Sequence, residues 1–297
     1  MNNQYIYTAK TLVVVTLLGL VLFTTGCKDD PDPIIPPIET TDLAQFNMGL
    51  GNPSNATTAT TNEENYLIER DQYSLSYSKS RGIPNWVSWY LHRDWLGNTQ
   101  RQDDFRVDPL VPSGWYRVTE FDYDYWDNGF HRGHNCPSAD RTSSRADNSA
   151  TFYMTNMIPQ APDLNTELWA DFEIFCRGKA RSGQELYIIM GSYGKGGIGD
   201  SGYRETLAGG KVTVPKYVWK VVVILDQGED DVSRINADTR IISILTENDN
   251  AVGFDSWGQH RVSIDDIEAA TGLDLLSEVP VNIQTVVEAK VDDGPTY

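Results

Sequence analysis

One stretch in the middle of the chain carries residue types that can act together in hydrolysis. His131 and His134, two of only four histidines, are followed by Asn165, Glu173 and Arg177. A neutral imidazole can take a proton from water near pH 7, and an amide oxygen suits a hard divalent cation that keeps several waters. The arginine guanidinium can bind a phosphate group through two hydrogen bonds. These types together predict metal-assisted hydrolysis of a phosphodiester.

The spacing of three of these residues suggests different roles for them. Glu173 and Arg177 lie four residues apart, so on a helix they share one face and can pair. Asn165 precedes Glu173 by eight residues, which is about 12 Å along a helix at about 1.5 Å per residue. Unless the helix begins after Asn165, one small ion cannot contact both side chains. We therefore expect Asn165 to bind the metal ion, and Glu173 to hold a metal-bound water and to orient Arg177.

Each of these residues, taken alone, also has a simpler interpretation. Asn165 could have no role beyond beginning a helix. Glu173 and Arg177 could form an ordinary ion pair on the solvated surface. Arg132 could balance nearby acids. The two histidines could bind a transition metal, although Gly133 between them does not favour the helix that would bring two such ligands together.

Short apolar runs predict the elements that must position these side chains. The segments NYLIERDQYSLSYSKSRGIPNWVSWYL, TFYMTNM, ELYIIMGSYG and YVWKVVVILDQG are rich in β-branched and aromatic residues and predict strands. Apolar spacings of three and four in LNTELWADFEIFCRGKA predict an amphipathic helix capped by Asp163. SIDDIEAATGLD predicts a short helix between Ser263 and Gly272. The glycine-rich GSYGKGGIGDSG lacks the ending of a phosphate-binding loop, so we expect a flexible hairpin or a substrate-side loop.

Strands outnumber helices and follow an irregular order, so the expected class is α+β. No second linker interrupts the chain after residue 43, which predicts one domain over residues 44–297. No period of about 20 to 50 residues repeats, which argues against a solenoid.

The first 26 residues have the pattern of an export signal. Lys10 is followed by the apolar run TLVVVTLLGLVLF and by small residues before Cys27. This arrangement resembles a bacterial lipoprotein signal, in which Cys27 is acylated and becomes the new N-terminus; ordinary cleavage nearby and a retained anchor are the alternatives. Residues 27–43 are rich in Pro and Asp and predict an extended tether. We expect an exported protein, lipid-anchored at the outer envelope, and CKDD resembles a tag for display on the cell surface.

The numbers of cysteines and charged residues limit the possible disulfides and the ways in which the chain could bind nucleic acid. With Cys27 lipidated, Cys136 and Cys176 are left, and they could form a disulfide or stay as two buried thiols. The net charge of −18 argues against sequence-independent binding of DNA through bulk positive charge. An enzyme acting on nucleic acid would need a locally basic cleft. The acidic surface could also suit a specific protein inhibitor or a high-salt setting.

The ordered run HRGHNCPSADR…TFYMTNMIPQAPDLNTELWADFE resembles the active-site region of the sugar-nonspecific DNA/RNA endonucleases, the ββα-metal nucleases with a D-R-G-H signature. Further segments, from about residue 48 to about residue 290, are similar to successive segments of that family. The resemblance implies a ββα-metal nuclease fold, with mixed or antiparallel sheets flanked by helices. It also implies hydrolysis of DNA and RNA that depends on Mg²⁺ or Mn²⁺ and yields 5′-phosphates.

The resemblance implies a role for each matched position. His134 matches the family's general base, Asn165 its metal-binding residue, and Glu173 the acid behind a metal-bound water. Arg101 and Arg177 match the arginines that hold phosphate and stabilise the transition state. Arg132 and Gly133 match the middle of the signature. A glycine in the signature would let the backbone approach the substrate closely.

His131 stands where the family's signature begins with Asp. An acid there would orient or charge-balance its neighbours; we expect that a neutral imidazole does not, and that a protonated one adds repulsion. Two functions therefore stay open. The first is an active endonuclease. The second is a catalytically silent surface lipoprotein that uses the nuclease fold to bind nucleic acid or another protein. Nothing in the sequence indicates the oligomeric state.

Overall fold

The computed structural model describes residues 46–297, in which strands outnumber helices as expected. The strands are β1 (Tyr66–Glu69), β2 (Ser74–Ser78), β3 (Ile83–Leu91), β4 (His131–His134), β5 (Met157–Gln160), β6 (Gln184–Tyr193), β7 (Gly197–Gly199), β8 (Gly202–Arg204), β9 (Thr206–Leu207), β10 (Val212–Thr213), β11 (Tyr217–Asp226), β12 (Arg240–Glu247) and β13 (Arg261–Val262). The α-helices are α1 (Tyr125–Asn128), α2 (Arg145–Ala150), α3 (Trp169–Arg181), α4 (Asp231–Arg234), α5 (Ile264–Thr271) and α6 (Val281–Val287). The predicted export signal, the tether and Cys27 lie outside the described residues.

Seven strands form one sheet in the order β1-β2-β3-β6-β11-β12-β13. Three two-stranded sheets lie apart from it, formed by β4 with β5, β7 with β8, and β9 with β10. All pairings between these strands are antiparallel. The strands predicted for β1 to β3, β6 and β11 and the glycine-rich hairpin β7–β8 are confirmed, and so is the α+β class.

Both faces of the large sheet are covered, because side chains alternate along its strands. On β11, Val218 and Val222 join the buried cluster that includes α3, whereas Trp219, Val221 and Val223 join a second cluster that includes α5 and α6. The strands in the centre of the sheet are therefore apolar on both sides. The helix that carries the predicted site packs on one face, and the C-terminal helices pack on the other.

The strand predicted at TFYMTNM is wrong. The chain forms a 3₁₀ turn at Met154–Asn156, and the strand β5 follows it. The reason is the side chain of Asn156, whose Oδ1 accepts the N–H of Cys136 at 3.0 Å and whose Nδ2 donates to the carbonyls of Cys136 and Thr151 at 2.9 Å. These bonds hold the turn and compete with a strand ladder.

The two predicted helices differ in how well their ends were foreseen. α5 begins after Ser263, whose hydroxyl accepts the N–H of Asp266, and it ends at Gly272 in the left-handed conformation, as predicted. Asp163 does not cap the other helix, because it is itself helical and its side chain makes no capping hydrogen bond. Instead, Oδ1 of Asn250, from a distant loop, accepts the N–H of Asp163 at 2.9 Å.

Within residues 46–297, none of the helices has the length and apolar character needed to cross a bilayer.

Candidate active site

Strands β4 and β5 form a short ladder that fixes the signature residues. His131 pairs with Gln160 and His134 pairs with Met157. Gly133 is required by packing: a Cβ atom there would lie 2.3 Å from Oε1 of Gln160 and 2.6 Å from its Cβ. A neighbouring side chain therefore restricts this position to glycine, and a close approach of the backbone to substrate stays a prediction.

The side chain of Asn165 meets His131. Nδ2 of Asn165 lies 3.2 Å from Nδ1 of His131, and the Oδ1 atom of the same amide has no hydrogen-bond partner among the described residues. Asn165 belongs to a π-helical turn, Leu164–Leu168, that precedes α3. Such turns are rare and occur often at functional sites. The expected direct metal ligand is therefore on a distorted turn before the helix proper, with its carbonyl oxygen uncommitted.

The contact corrects our expectation for His131. Burial lowers the pKa of His131, and the opposing effect of Asp200 is smaller, so the ring is neutral at pH 7. A neutral ring protonated on Nε2 accepts the amide N–H of Asn165 through Nδ1. This imidazole therefore orients its neighbour, which we had expected only of an acid.

His134 is held between two aromatic rings. Its ring centroid lies 4.9 Å from that of Phe152 and 5.6 Å from that of Phe105, both edge to face. Its Nε2 atom is buried and has no hydrogen-bond partner among residues 46–297. Burial, with the charges of Arg101 and Arg132, lowers the pKa of His134 to about 3. The ring is therefore neutral and has a nitrogen without a partner among the described residues. A pKa this low makes the ring a weak base, and the negative charge of a bound phosphate would raise that pKa.

Two of the predicted arginines lie against the same rings. The guanidinium carbon of Arg101 is 4.8 Å from the centroid of Phe152, and that of Arg132 is 4.3 Å from the centroid of Phe105. Their side chains stay 49% and 34% exposed, so they can reach a ligand. The structure thus groups Arg101 and Arg132 around His134. Arg101 also pairs with Asp103 at 2.6 Å and Arg132 lies 3.7 Å from Glu120, so acids partly balance both positive charges.

Glu173 and Arg177 lie on one face of α3 and pair at 3.8 Å, as their spacing predicted. Arg177 has a nearer partner in Asp140, at 3.0 Å. Glu173 in turn accepts a hydrogen bond from Nζ of Lys220 at 3.1 Å. Burial raises the pKa of Glu173, and Lys220 and Arg177 oppose that effect. These four residues form a buried charge network, so the orientation of Arg177 depends on Asp140 as well as on Glu173.

The 3₁₀ turn Ser138–Asp140, which begins after three further residues beyond β4, anchors arginines from two distant segments. Nη1 of Arg101 donates to Oγ of Ser138 at 2.9 Å, and Nη1 of Arg177 donates to Oδ1 of Asp140 at 3.0 Å. Nε1 of Trp89 donates to the other oxygen of Asp140 at 3.0 Å. This turn therefore fixes the two arginines relative to the signature strand.

Sequence reasoning missed Asp140, Lys220, Phe105 and Phe152. Lys220 had a usable signal, because it is the only charged residue in the apolar run YVWKVVVIL, and a charge in a buried strand needs a partner. Asp140 had none, since it lies in a polar segment among several arginines. The two phenylalanines looked like ordinary core residues.

Cys136 and Cys176 are buried free thiols. Burial raises the pKa of each to about 12, so both are protonated and unreactive. Of the two alternatives left by the sequence, the structure has the thiols and not the disulfide.

The donor set at Asn165 fits a hard divalent cation. The free Oδ1 of Asn165 is an oxygen ligand of the kind that Mg²⁺ and Mn²⁺ take, with water in the other positions. Glu173 is already bound by Lys220 and is close to Arg177, so its carboxylate fits contact through a water better than direct ligation. That His134 and Asn165 face one hydrated ion stays a prediction.

Comparison with known proteins gives a consistent result. The model of the DNA/RNA non-specific endonuclease family matches residues 50–282. A nuclease from Nostoc sp. (strain PCC 7120 / SAG 25.82 / UTEX 2576) is 44% identical over 275 residues, which cover 93% of this chain and 96% of that protein. The mitochondrial nuclease EXOG of Xenopus laevis is 26% identical over 208 residues, covering 68% of this chain and 55% of that protein.

A solved structure of the EndoG/EndoGI complex, which describes the mechanism of EndoG inhibition, contains the same fold. It superposes with a TM-score of 0.66 at 20% identity, over 86% of this chain and 99% of that chain. The ββα unit made by β4, β5 and α3 and the expected ββα-metal nuclease fold are thereby confirmed.

Proposed function

Because this chain belongs to the DNA/RNA non-specific endonuclease family and is a nuclease, we propose that it hydrolyses both DNA and RNA with His134 as the general base. The products would carry 5′-phosphates. One observation supports this assignment above the others: the neutral imidazole of His134 has an uncommitted, buried Nε2 beside two arginines. A buried nitrogen without a partner in the described part of the chain calls for one supplied from outside, such as a water or a substrate.

The base would work as follows. His134 takes a proton from a water, the water oxygen forms a bond to phosphorus, and the bond from phosphorus to the 3′ oxygen breaks. The 3′ oxygen leaves as a hydroxyl with a proton drawn from solvent. The rings of Phe105 and Phe152 hold the imidazole in one orientation, so no rotation has to be ordered during the reaction.

The arginines would neutralise charge on the substrate. Arg101 and Arg132, which carry exposed guanidinium groups against the rings around His134, would bind the phosphate oxygens. Arg177 is fixed by Asp140 and Glu173, so its charge is preorganised for the transition state. The local positive charge would also offset the repulsion between nucleic acid and an acidic chain.

Nucleases of this family depend on a metal ion, and here Asn165 would hold Mg²⁺ or Mn²⁺, with Glu173 reaching it through water. Bound there, the cation supplies positive charge that stabilises the pentacoordinate phosphorus and the leaving oxygen. His131 would keep Oδ1 of Asn165 turned toward the ion by accepting the N–H of the same amide.

A cleavage assay on supercoiled plasmid and on RNA tests the proposal. Each reaction contains Mg²⁺ or Mn²⁺ and is run with and without chelator. We expect cleavage that the chelator stops, and its loss by a factor of about 10² to 10⁴ in His134→Ala. Circular dichroism of the variant should match the parent. The matched control is His260→Ala, which removes an imidazole on another element, bound to Asp255. Cleavage by His134→Ala at the parent rate would exclude His134 as the base, and a parent without any cleavage would favour the silent binding protein.

We also propose that the protein is exported and held at the bacterial outer envelope by lipid on Cys27. The support is the apolar leader that ends in small residues before that cysteine. Labelled palmitate should enter the parent protein and not Cys27→Ala, and the variant should appear in the soluble fraction. Equal labelling of both proteins would contradict the anchor.

A further inference from the structure

Three acidic residues meet where the two C-terminal helices join. Asp265 and Glu268 lie three residues apart on α5, and Glu288 directly follows α6. One carboxylate oxygen from each of the three lies within 4.8 Å of the others. The N–H of Asp265 donates to the carbonyl of Glu288 at 3.1 Å, which fixes the start of α5 against the end of α6.

Glu288 is the residue that requires an explanation. It is only 7% exposed, and its Oε1 atom is buried without a hydrogen-bond partner among residues 46–297. None of the ion pairs in the described part of the chain involves Glu288, Glu268 or Asp265. A buried carboxylate without a donor or a cation is costly, and neighbouring negative charge adds to the cost.

The charges with the largest effects on Glu288 are negative. Burial, followed by Glu268, Asp265 and Asp274, raises the pKa of Glu288 to about 7. Glu268 has one oxygen bound by the N–H of Leu275 at 2.7 Å, which orients its carboxylate. A cation at this place would relieve the repulsion and give the free oxygen of Glu288 a partner.

We propose that Asp265, Glu268 and Glu288 bind a calcium ion that joins α5 to the end of α6. Oxygen ligands lie about 2.3 to 2.6 Å from Ca²⁺, so two of them are at most about 5 Å apart, which the three carboxylates satisfy. Ca²⁺ accepts irregular sets of carboxylates and waters, whereas Mg²⁺ demands octahedral geometry and gives up water reluctantly. Glu288 supplies a buried ligand and Asp265 an exposed one, so solvent can complete the shell.

The site is structural and lies apart from the catalytic centre. Ile264, Ile267 and Val287, beside the three ligands, belong to the buried cluster on the face of the sheet opposite α3. Calcium would therefore stabilise the C-terminal helices without entering the reaction at His134. An ion that binds only the folded state raises its stability by mass action.

The test must separate this ion from the catalytic one, so it starts from Asn165→Ala, which lacks the proposed catalytic ligand. After removal of metal by chelator and dialysis, titration calorimetry with CaCl₂ should give one site per chain, and CaCl₂ should raise the melting temperature. Both effects should vanish in Asn165→Ala/Glu288→Gln. They should persist in Asn165→Ala/Glu278→Gln, which makes the same charge change at an exposed acid nearby.

Two outcomes would overturn the proposal. One is calcium binding that is equal with and without Glu288→Gln. The other is no calcium binding in Asn165→Ala. A higher melting temperature in Glu288→Gln would then show that a proton on Glu288 relieves the repulsion instead. Glu288→Gln alone should leave plasmid cleavage unchanged, so the outcome at this site is independent of the nuclease test.

Discussion

Nδ1 of His131 lies 3.2 Å from Nδ2 of Asn165, although His131 belongs to strand β4 and Asn165 to the π-helical turn before α3. The contact uses the amide nitrogen and leaves the amide oxygen without a partner within residues 46–297. A histidine at the first signature position therefore does the orienting work expected of an acid, and it does so without adding a charge. The substitution is thus compatible with an active enzyme.

This contact predicts how changes at residue 131 affect metal binding. His131→Ala removes the acceptor for the amide of Asn165, and we expect a loss of metal affinity of about 10- to 100-fold. His131→Asp restores an acceptor and adds negative charge, so cleavage should equal or exceed that of the parent. Cleavage rates measured over a Mg²⁺ titration give both the metal affinity and the maximal rate of each variant. A large loss in His131→Asp would show that the imidazole has a catalytic duty of its own.

The low pKa of His134 predicts a stability change with pH. The folded chain holds this ring neutral down to about pH 3, whereas the unfolded chain takes up a proton near its ordinary pKa of about 6.5. The free energy of unfolding should therefore fall as the pH drops from about 6.5 toward 3, with a contribution from His134 of at most about 1.4 kcal/mol per pH unit. His134→Gln lacks this contribution.

Urea unfolding of the parent and of His134→Gln at several pH values measures the difference, since the carboxylates contribute to both. The difference in unfolding free energy should shift in favour of the variant as the pH falls. A constant difference across that range would mean that the ring ionises in the folded state as it does in water.

Lys220 predicts a stability effect of a buried charge. Its side chain is 1% exposed and donates to Glu173 at 3.1 Å, between the rings of Trp89 and Trp169. Lys220→Met would leave the carboxylate of Glu173 with Arg177 alone, and we expect a loss of about 3 to 5 kcal/mol in unfolding free energy. Adding Glu173→Gln should recover part of that loss, because the charge that Lys220 had balanced is then gone.

Denaturant unfolding of the two single variants and the double variant gives the interaction between the residues. Lys211→Met, at an exposed lysine, is the control and should change stability by no more than about 0.5 kcal/mol. If Lys220→Met were as stable as the parent, the ion pair between Lys220 and Glu173 would not stabilise the fold.

The two free thiols predict insensitivity to reductant. In Cys27→Ala, which isolates the remaining pair, Cys136 and Cys176 should both react with a thiol reagent under denaturing conditions without prior reduction. The melting temperature should be the same with and without dithiothreitol. A reaction that appears only after reduction would restore the disulfide alternative.

The sequence by itself determined the strands and the helix with local signals. β3, β6 and β11 are apolar on both faces, so their composition identifies them without knowledge of their partners. Both ends of α5 were predictable, because Ser263 and Gly272 act on the backbone next to them. The pairing of Glu173 with Arg177 follows from helical spacing alone.

Tertiary structure decided whatever depends on residues far apart in the chain. Asn156 accepts a hydrogen bond from Cys136, and this bond holds a turn where a strand was predicted. Asn250 accepts the N–H of Asp163 at the helix start, where Asp163 was expected to act as the cap. Lys220 reaches Glu173 across the layer between β11 and α3. A side chain's hydrogen-bond partner cannot be read from its own neighbours when both come from separate elements.

The candidate site also combines features that the local sequence predicts with features that only tertiary packing creates. The resemblance assigned His134, Asn165 and the arginines, because their types and order are local information. The close contact of His131 with Asn165 and the meeting of Asp265, Glu268 and Glu288 arise only when separate elements pack together. Burial then sets the charge state of each group, and burial is a property of the folded chain.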